Sequence, residues 1–398
     1  MNDSKKRYVI LTIGTTALLF LGLIYAWSNF SRPLEAHFGW LRSETSNVFT
    51  LSIVTFCLGG LCGGILIRKI SAAWILRLSS ACMLIGFFLS SRVTALWQIY
   101  ITYGVLCGFG VGLTYNAVLS TVVRWFGDKA AFCSGVLLMG FGSGGLLLGT
   151  AAASVIEGFG WSIAFAAIGF VGFAVLVIAS FFIAPPAEAT AAKAAAATAA
   201  GPELSPARLL RTRTFWMLFV WGSLASATGL SVIGQGSPIA GSVGASAQIA
   251  ALAVGTISVF NGLGRVIIGI IYPMIKRRTA MFIICGGYLL GAASLLLAVF
   301  TGQLAIVFVG FALVGLSYGS TPAFGVSIIR EFFGPKYYSV NMSIFNLHLI
   351  VSAILGSSVV GWLVSSNDNN YQIGLIIGLV LAAAGLVLAP LAAVKPKA

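Results

Sequence analysis

The chain has 398 residues, of which 59% are hydrophobic and only 8% charged, with a formal net charge of +14. Soluble domains carry roughly 25% charged residues, so this balance excludes an ordinary soluble fold. It points to several membrane-spanning helices of about 20 mostly apolar residues each.

In chain order, the basic "KKRY" at Lys5–Tyr8 leads into an apolar run that reaches about Trp27. That run is too long for the core of a cleavable signal, and no small-residue cleavage pattern follows. Apolar runs predict six spans near 8–29, 46–67, 74–91, 97–123, 131–155 and 162–184. A polar interval covers 185–213, and six more spans follow near 214–237, 246–274, 279–300, 303–329, 339–365 and 371–393. The expected fold is all-α and integral to the membrane: twelve transmembrane helices in two pseudo-symmetric six-helix bundles, 1–184 and 214–398. Segments such as "GFGSGGLLLG" (Gly140–Gly149) supply the small residues that let membrane helices approach closely.

The bases set the topology. With a cytoplasmic N-terminus, only Arg32, Arg42 and Arg92 of the 23 Lys and Arg residues fall outside, and Arg265 falls within the membrane. The others lie in inner loops, helix ends and tails, where they face an anionic leaflet. Both termini are therefore expected in the cytoplasm. The positive charge is explained by topology, and nucleic acid is not an expected partner.

The interval 185–213 begins as an Ala-rich, low-complexity linker. Its end, "SPARLLRTR", carries a helix-start pattern at Ser205–Pro206. Two readings stay open there: a helix lying on the inner membrane surface with arginines toward headgroups, or a plain connector.

Charge inside the membrane is the main functional signal, because such groups are costly. Arg265 stands in "VFNGLGRVIIGIIYPMIKRR" with no other charge until Lys276. At 1.5 Å per residue it is about 16 Å above the inner surface, near the middle of a ~30 Å hydrocarbon layer. None of the nine acids falls at that depth. A structural arginine satisfied by helix carbonyls is one reading. The other is an anion ligand, since guanidinium grips a carboxylate bidentately. His348 lies at similar depth, about 14 Å into the eleventh span. It is either a neutral histidine bonded within the bundle, or a substrate donor and proton-coupling candidate.

Other polar and aromatic residues could complete a binding cavity: Tyr25 and Asn29 on one face of the first span, Tyr115 and Asn116 in the fourth, Phe141 in the fifth, Tyr318 just before Pro322 in the tenth, and Asn346 beside His348. The six cysteines all sit in apolar runs, without metal-ligand or disulfide spacing. No nucleophile–base pair, Walker loop or metal cluster stands out, so no enzyme activity, metal or cofactor is expected.

Two six-helix halves joined by a long cytoplasmic loop resemble the major facilitator superfamily, whose halves rock about a site near the bilayer midplane. The superfamily's loop signature is eroded: "GGILIRKISAAW" (Gly63–Trp74) has Arg68 where an aspartate is usual, and the equivalent later loop has Pro273 there. More specifically, "YAWSNF", "GVGLTYNAVLSTVVRWFGDKAAFCSG", "LLRTRTFWMLF", "FNGLGR" and "GLSYGSTPAF" resemble the oxalate–formate antiporter family and bacterial relatives of monocarboxylate transporters. That resemblance implies a bacterial cytoplasmic-membrane carrier working as a monomer among membrane lipids. It implies a carboxylate-binding arginine at Arg265 and cavity aromatics at Tyr25, Tyr115 and Tyr318, with Phe141 where the oxalate carrier has a tyrosine. Oxalate carriers pair the arginine with a lysine in the eleventh helix, a position occupied here by Leu349, and Ile24 replaces a glutamine. The proton-coupling aspartate of some monocarboxylate transporters has no counterpart in "GQGSPIAGSVG".

One fixed cation balances one carboxylate, whereas a second anionic group would be left unpaired in a low-dielectric site. The expected substrate is therefore a small monocarboxylate of the lactate, pyruvate, formate or acetate class, moved by exchange or coupled to protons. The alternatives are an oxalate–formate type antiporter, or a carrier or exporter of another small organic solute in which Arg265 is structural.

Overall fold

The structure, a computed structural model, describes residues 3–126, 129–186, 203–367 and 370–395. The Ala-rich linker, Asp128 and Asp368 lie outside the described residues. Among these, eleven helical stretches are long and apolar enough to cross a membrane. One of them, Phe132–Ser180, has 49 residues, about 74 Å at 1.5 Å per residue and more than twice a hydrocarbon layer. It bends at Gly160, whose φ of 85° and ψ of 162° are not helical. Positive φ suits a residue without Cβ, and the bend makes the fifth and sixth spans from one unbroken stretch of chain. Twelve spans result.

The first four are Lys5–Phe38, Glu44–Leu66, Ala72–Ser90 and Leu96–Val123. The seventh to twelfth are Arg213–Gly236, Leu252–Met274, Arg277–Thr301, Leu304–Phe333, Tyr338–Val364 and Tyr371–Ala392. Polar residues start them. The Glu44 carboxylate accepts from the Leu41 N–H at 2.8 Å, Thr212 Oγ1 from the Phe215 N–H, and Ser246 Oγ from the Ile249 N–H. Each satisfies a donor that the first helical turn leaves open. Ser205 and Pro206 do begin a helix, but it is a single turn, Pro206–Leu209.

The chain forms two compact units, Met1–Leu204 with Ile329–Leu347, and Ser205–Ile328 with His348–Ala398. Their boundary does not follow the halves of the sequence, because the start of the eleventh span packs against the second and fourth. Within each unit, glycines set the tightest contacts. In the first, a Cβ at Gly22 or Gly144 would collide with the Phe141 or Leu19 carbonyl oxygen, and at Gly59 or Gly112 with that of Phe109 or Phe56. Spans 1 and 5, and 2 and 4, are thus in backbone contact. In the second unit, Gly264 and Gly319 bring the eighth and tenth spans together, and Gly356 brings the eleventh to the seventh. The same pairs recur six spans later. In hydrocarbon, where helices gain nothing from burying apolar surface, such close approach is what holds them.

Four stretches depart from α geometry: Tyr100–Cys107 in the fourth span and Ile354–Val359 in the eleventh are π-helical, and Gly22–Ala26 in the first and Tyr272–Met274 at the end of the eighth are 3-10. The eleventh span is also interrupted at Leu347, between helices Tyr338–Asn346 and His348–Ala353.

Candidate functional site

In the first unit, three of the candidate residues meet. The Tyr25 and Tyr115 rings both stand edge-on to Phe141, with centroids 5.4 and 5.0 Å apart. Phe56 of the second span closes the group, 5.2 Å from Tyr115 and 6.0 Å from Phe141. These are favourable aromatic geometries. The close approach of spans 1 and 5 at Gly22 and Gly144 places Tyr25 over Phe141. Phe56 escapes sequence reasoning because nothing distinguishes it among 28 phenylalanines.

The two asparagines do not join this cluster. Asn29 Nδ2 donates to the Gly149 carbonyl at 2.9 Å, tying the first span to the fifth. Asn116 follows Tyr115 directly, so it projects about 100° away around the helix. Its Nδ2 donates to the carbonyls of Gly60 at 3.0 Å and Ser339 at 3.1 Å, and contacts Ser343 Oγ. Ser343 Oγ also donates to the Gly60 carbonyl and Ser339 Oγ to that of Gly64, both at 2.9 Å. Asn116 is thus the centre of a polar clasp joining spans 2 and 4 to the start of the eleventh. Its amide hydrogens are committed to protein acceptors. Asn346 belongs to the same unit, where its carbonyl accepts from Cys57 Sγ at 3.4 Å.

The second unit holds the buried cation. Arg265 is only 1% exposed. Its Nε donates to Asn261 Oδ1 at 3.0 Å, one helical turn earlier. The turn carrying both residues is pinned to the tenth span. Gly319 admits the Asn261 carbonyl, Gly264 admits that of Leu316, and Ser320 Oγ donates to the Gly264 carbonyl at 3.1 Å. Tyr318, next to Gly319, is 4% exposed and lays its ring on Gly229 of the seventh span, close to the Tyr288 hydroxyl. Tyr288 in turn is 3.2 Å from Thr321 Oγ1. Pro322 has no N–H to offer the Tyr318 carbonyl. Spans 7, 8 and 10 therefore converge where Tyr318 and the Arg265 turn sit.

His348 is 2% exposed. Its Nε2 lies 3.3 Å from Ser226 Oγ, its ring covers Gly222, and Phe219 stands edge-on at 6.2 Å. Gly222 precedes Gly229 by about two helical turns, some 10 Å. The histidine is therefore seated on the seventh span toward its N-terminal end from Tyr318. Asn346 and His348, two apart in sequence, fall in different compact units.

Twelve helical spans whose contacts repeat after six, with a buried arginine in one unit, describe a polytopic membrane carrier. The chain belongs to the Major Facilitator Superfamily, whose sequence model matches residues 12–346. Members of the superfamily are transporters, not enzymes, and this protein is a multi-pass transporter of that kind.

Among its relatives is the oxalate:formate antiporter of Oxalobacter formigenes, 26% identical over 88% of this chain and 83% of that protein. Another is the uncharacterized MFS-type transporter YhjX of Escherichia coli (strain K12), 27% identical over 89% of this chain and 87% of the relative. Human monocarboxylate transporter 11 is 27% identical over a shorter segment, 32% of this chain and 27% of that protein. The fold matches the solved proton:xylose symporter XylE with a TM-score of 0.73 at 16% identity, over 96% of this chain and 95% of that one.

Proposed function

We propose that the protein carries small monocarboxylates, of the lactate, pyruvate, formate or acetate class, by alternating access in a bacterial cytoplasmic membrane. It works as a monomer with both termini in the cytoplasm. Arg265 is the substrate ligand. The observation that carries this is its setting: a fully buried guanidinium whose oriented partner, Asn261, is neutral. The second unit contains a single acid, Asp368, in the connection between the eleventh and twelfth spans. A buried guanidinium oriented by a neutral amide is a donor suited to a carboxylate ligand. Tyr318, on the tenth span to which the Arg265 turn is pinned, is our candidate to read a 2-hydroxy or 2-keto group. Tyr25, Tyr115 and Phe141 are assigned to the walls of the substrate path.

The names of the relatives support a carboxylate, and Leu349 in place of a second cation supports one carboxylate rather than two. Charge also bears on coupling. Loaded, Arg265 and a monocarboxylate are neutral together; empty, the carrier must return with the arginine's charge not balanced by substrate. That penalty favours exchange. Uptake of labelled substrate into proteoliposomes tests the coupling: exchange requires substrate inside the vesicle, and equal uptake into empty and preloaded vesicles would contradict it.

A further inference from the structure

At one end of the first unit two buried donors lack an acceptor. Arg330 Nε and the Tyr338 hydroxyl are both covered, and neither has a hydrogen-bond partner among the described residues. Such groups are rare, because the water they lose is not replaced. They flank the turn between the tenth and eleventh spans. Arg330 lies in the last turn of helix Leu304–Phe333. Gly334, at a φ of 82°, reverses the chain while its N–H donates to the Arg330 carbonyl at 3.0 Å, and Tyr338 opens the next helix.

The described groups that act electrostatically on Arg330 are Tyr338, Cys133 and Arg124, and no acid is among them. Arg124 stands exposed at the end of the fourth span. The order Arg, Phe, Gly, Lys is shared by "RWFGDK" (Arg124–Lys129) and "REFFGPK" (Arg330–Lys336), six spans apart. Equivalent bases of the two halves thus meet in one unit. Tyr338 is 7% exposed, and its electrostatic neighbours are Arg330 and Tyr115 of the aromatic group. Donors therefore lead from the aromatic walls assigned to the substrate path out to a surface cation. A guanidinium and a phenol both donate to carboxylate oxygens. Cys133 is fully buried, so the pair opens on the interior, which suits a small anion rather than a lipid headgroup.

We infer that Arg330 and Tyr338 form a second, transit site for the substrate carboxylate, at the mouth of the path on the face where the fourth and tenth spans end, the cytoplasmic face in our reading. Arg124 draws anions toward it. This rests on the protein carrying carboxylates. A basic mouth raises local anion concentration and the rate of capture. Arg330 is half-exposed, and screening there leaves the site too weak to add to a melting shift.

The test measures labelled formate, acetate, lactate and pyruvate in everted and right-side-out membrane vesicles carrying the full-length protein. Arg330→Gln should raise KM about tenfold at the cytoplasmic face and leave it within about twofold at the other. Tyr338→Phe loses only the hydroxyl; it should raise the same KM about threefold at the parent's melting temperature. Arg330→Lys, which keeps the charge, should recover most of the loss. Tenfold more salt should raise the parent's KM at this face severalfold, and that of Arg330→Gln by less than about twofold. A merely structural arginine would move both faces alike and leave the salt response intact. Either of those results overturns the site, as does a parental KM at the cytoplasmic face in both Arg330→Gln and Tyr338→Phe. If Arg330→Gln does not accumulate, Tyr338→Phe decides alone. A parent that moves none of the four anions would instead overturn the carboxylate function, and this site with it.

Discussion

Replacing Asn116 with alanine should loosen the clasp that holds the start of the eleventh span. The side chain donates to the Gly60 and Ser339 carbonyls and contacts Ser343 Oγ. Both carbonyls also lie within reach of Ser343 Oγ, at 2.9 and 2.7 Å, whose single hydrogen can serve one of them at a time, so the substitution strands at most one. The loss is then nearer one or two net hydrogen bonds than three, about 1–2 kcal/mol at ~1 kcal/mol each. A change of 1.4 kcal/mol shifts an opening equilibrium about tenfold. A native reporter lies alongside: Cys57 is buried, with Sγ 3.4 Å from the Asn346 carbonyl. With the other five cysteines replaced, alkylation of Cys57 by a membrane-permeant maleimide reads the open population when reclosing outpaces labelling. Asn116→Ala should raise that rate about tenfold. Asn29→Ala, which severs the bond between Asn29 and Gly149 in the same unit, should leave it unchanged. A Cys57 rate within twofold of the parent, or an equal rise in the Asn29 variant, would refute the clasp.

Three further outcomes are expected. Gly319→Val should lower the melting temperature sharply and reduce folded yield, because its Cβ would strike the Asn261 carbonyl where two backbones touch. Phe141→Ala removes a ring contacted by Tyr25, Tyr115 and Phe56 and should cost about 3 kcal/mol or more in unfolding free energy, as large-to-small substitutions in packed interiors do. If His348 couples transport to protons, its replacement by alanine abolishes uptake driven by a pH gradient while exchange at fixed pH persists; retention of the gradient-driven component removes His348 from that role.

Much of the architecture is legible in the sequence because hydrocarbon thickness dictates span length. Even the division of the long helix near Gly160 falls in the gap predicted between 155 and 162. Arg265 is legible for the same reason, as a lone charge in an apolar run. Its orienting partner was open to the same reasoning: Asn261 stands four residues earlier in "FNGLGR", one turn away on the same face. Asn116 misleads because adjacency in sequence is not adjacency on a helix, and its neighbour Tyr115 points to a different group. Phe56 carries no signal at all, since one phenylalanine in an apolar run looks like any other. Nor do the 48 glycines announce which of them meet a carbonyl; that depends on the partner helix. The π-helical stretches in spans 4 and 11 have no local signature.

The central claim is that Arg265 binds the carboxylate of a small monocarboxylate. Melting of the purified protein against formate, acetate, lactate, pyruvate and oxalate tests it most directly, since a ligand held only by the folded state adds about 2.7 kcal/mol at one hundred times its Kd. At least one monocarboxylate should raise the melting temperature of the parent protein more than oxalate does, and Arg265→Gln should melt cooperatively with no shift. An Arg265→Gln protein that keeps the parent's shift would contradict the assignment.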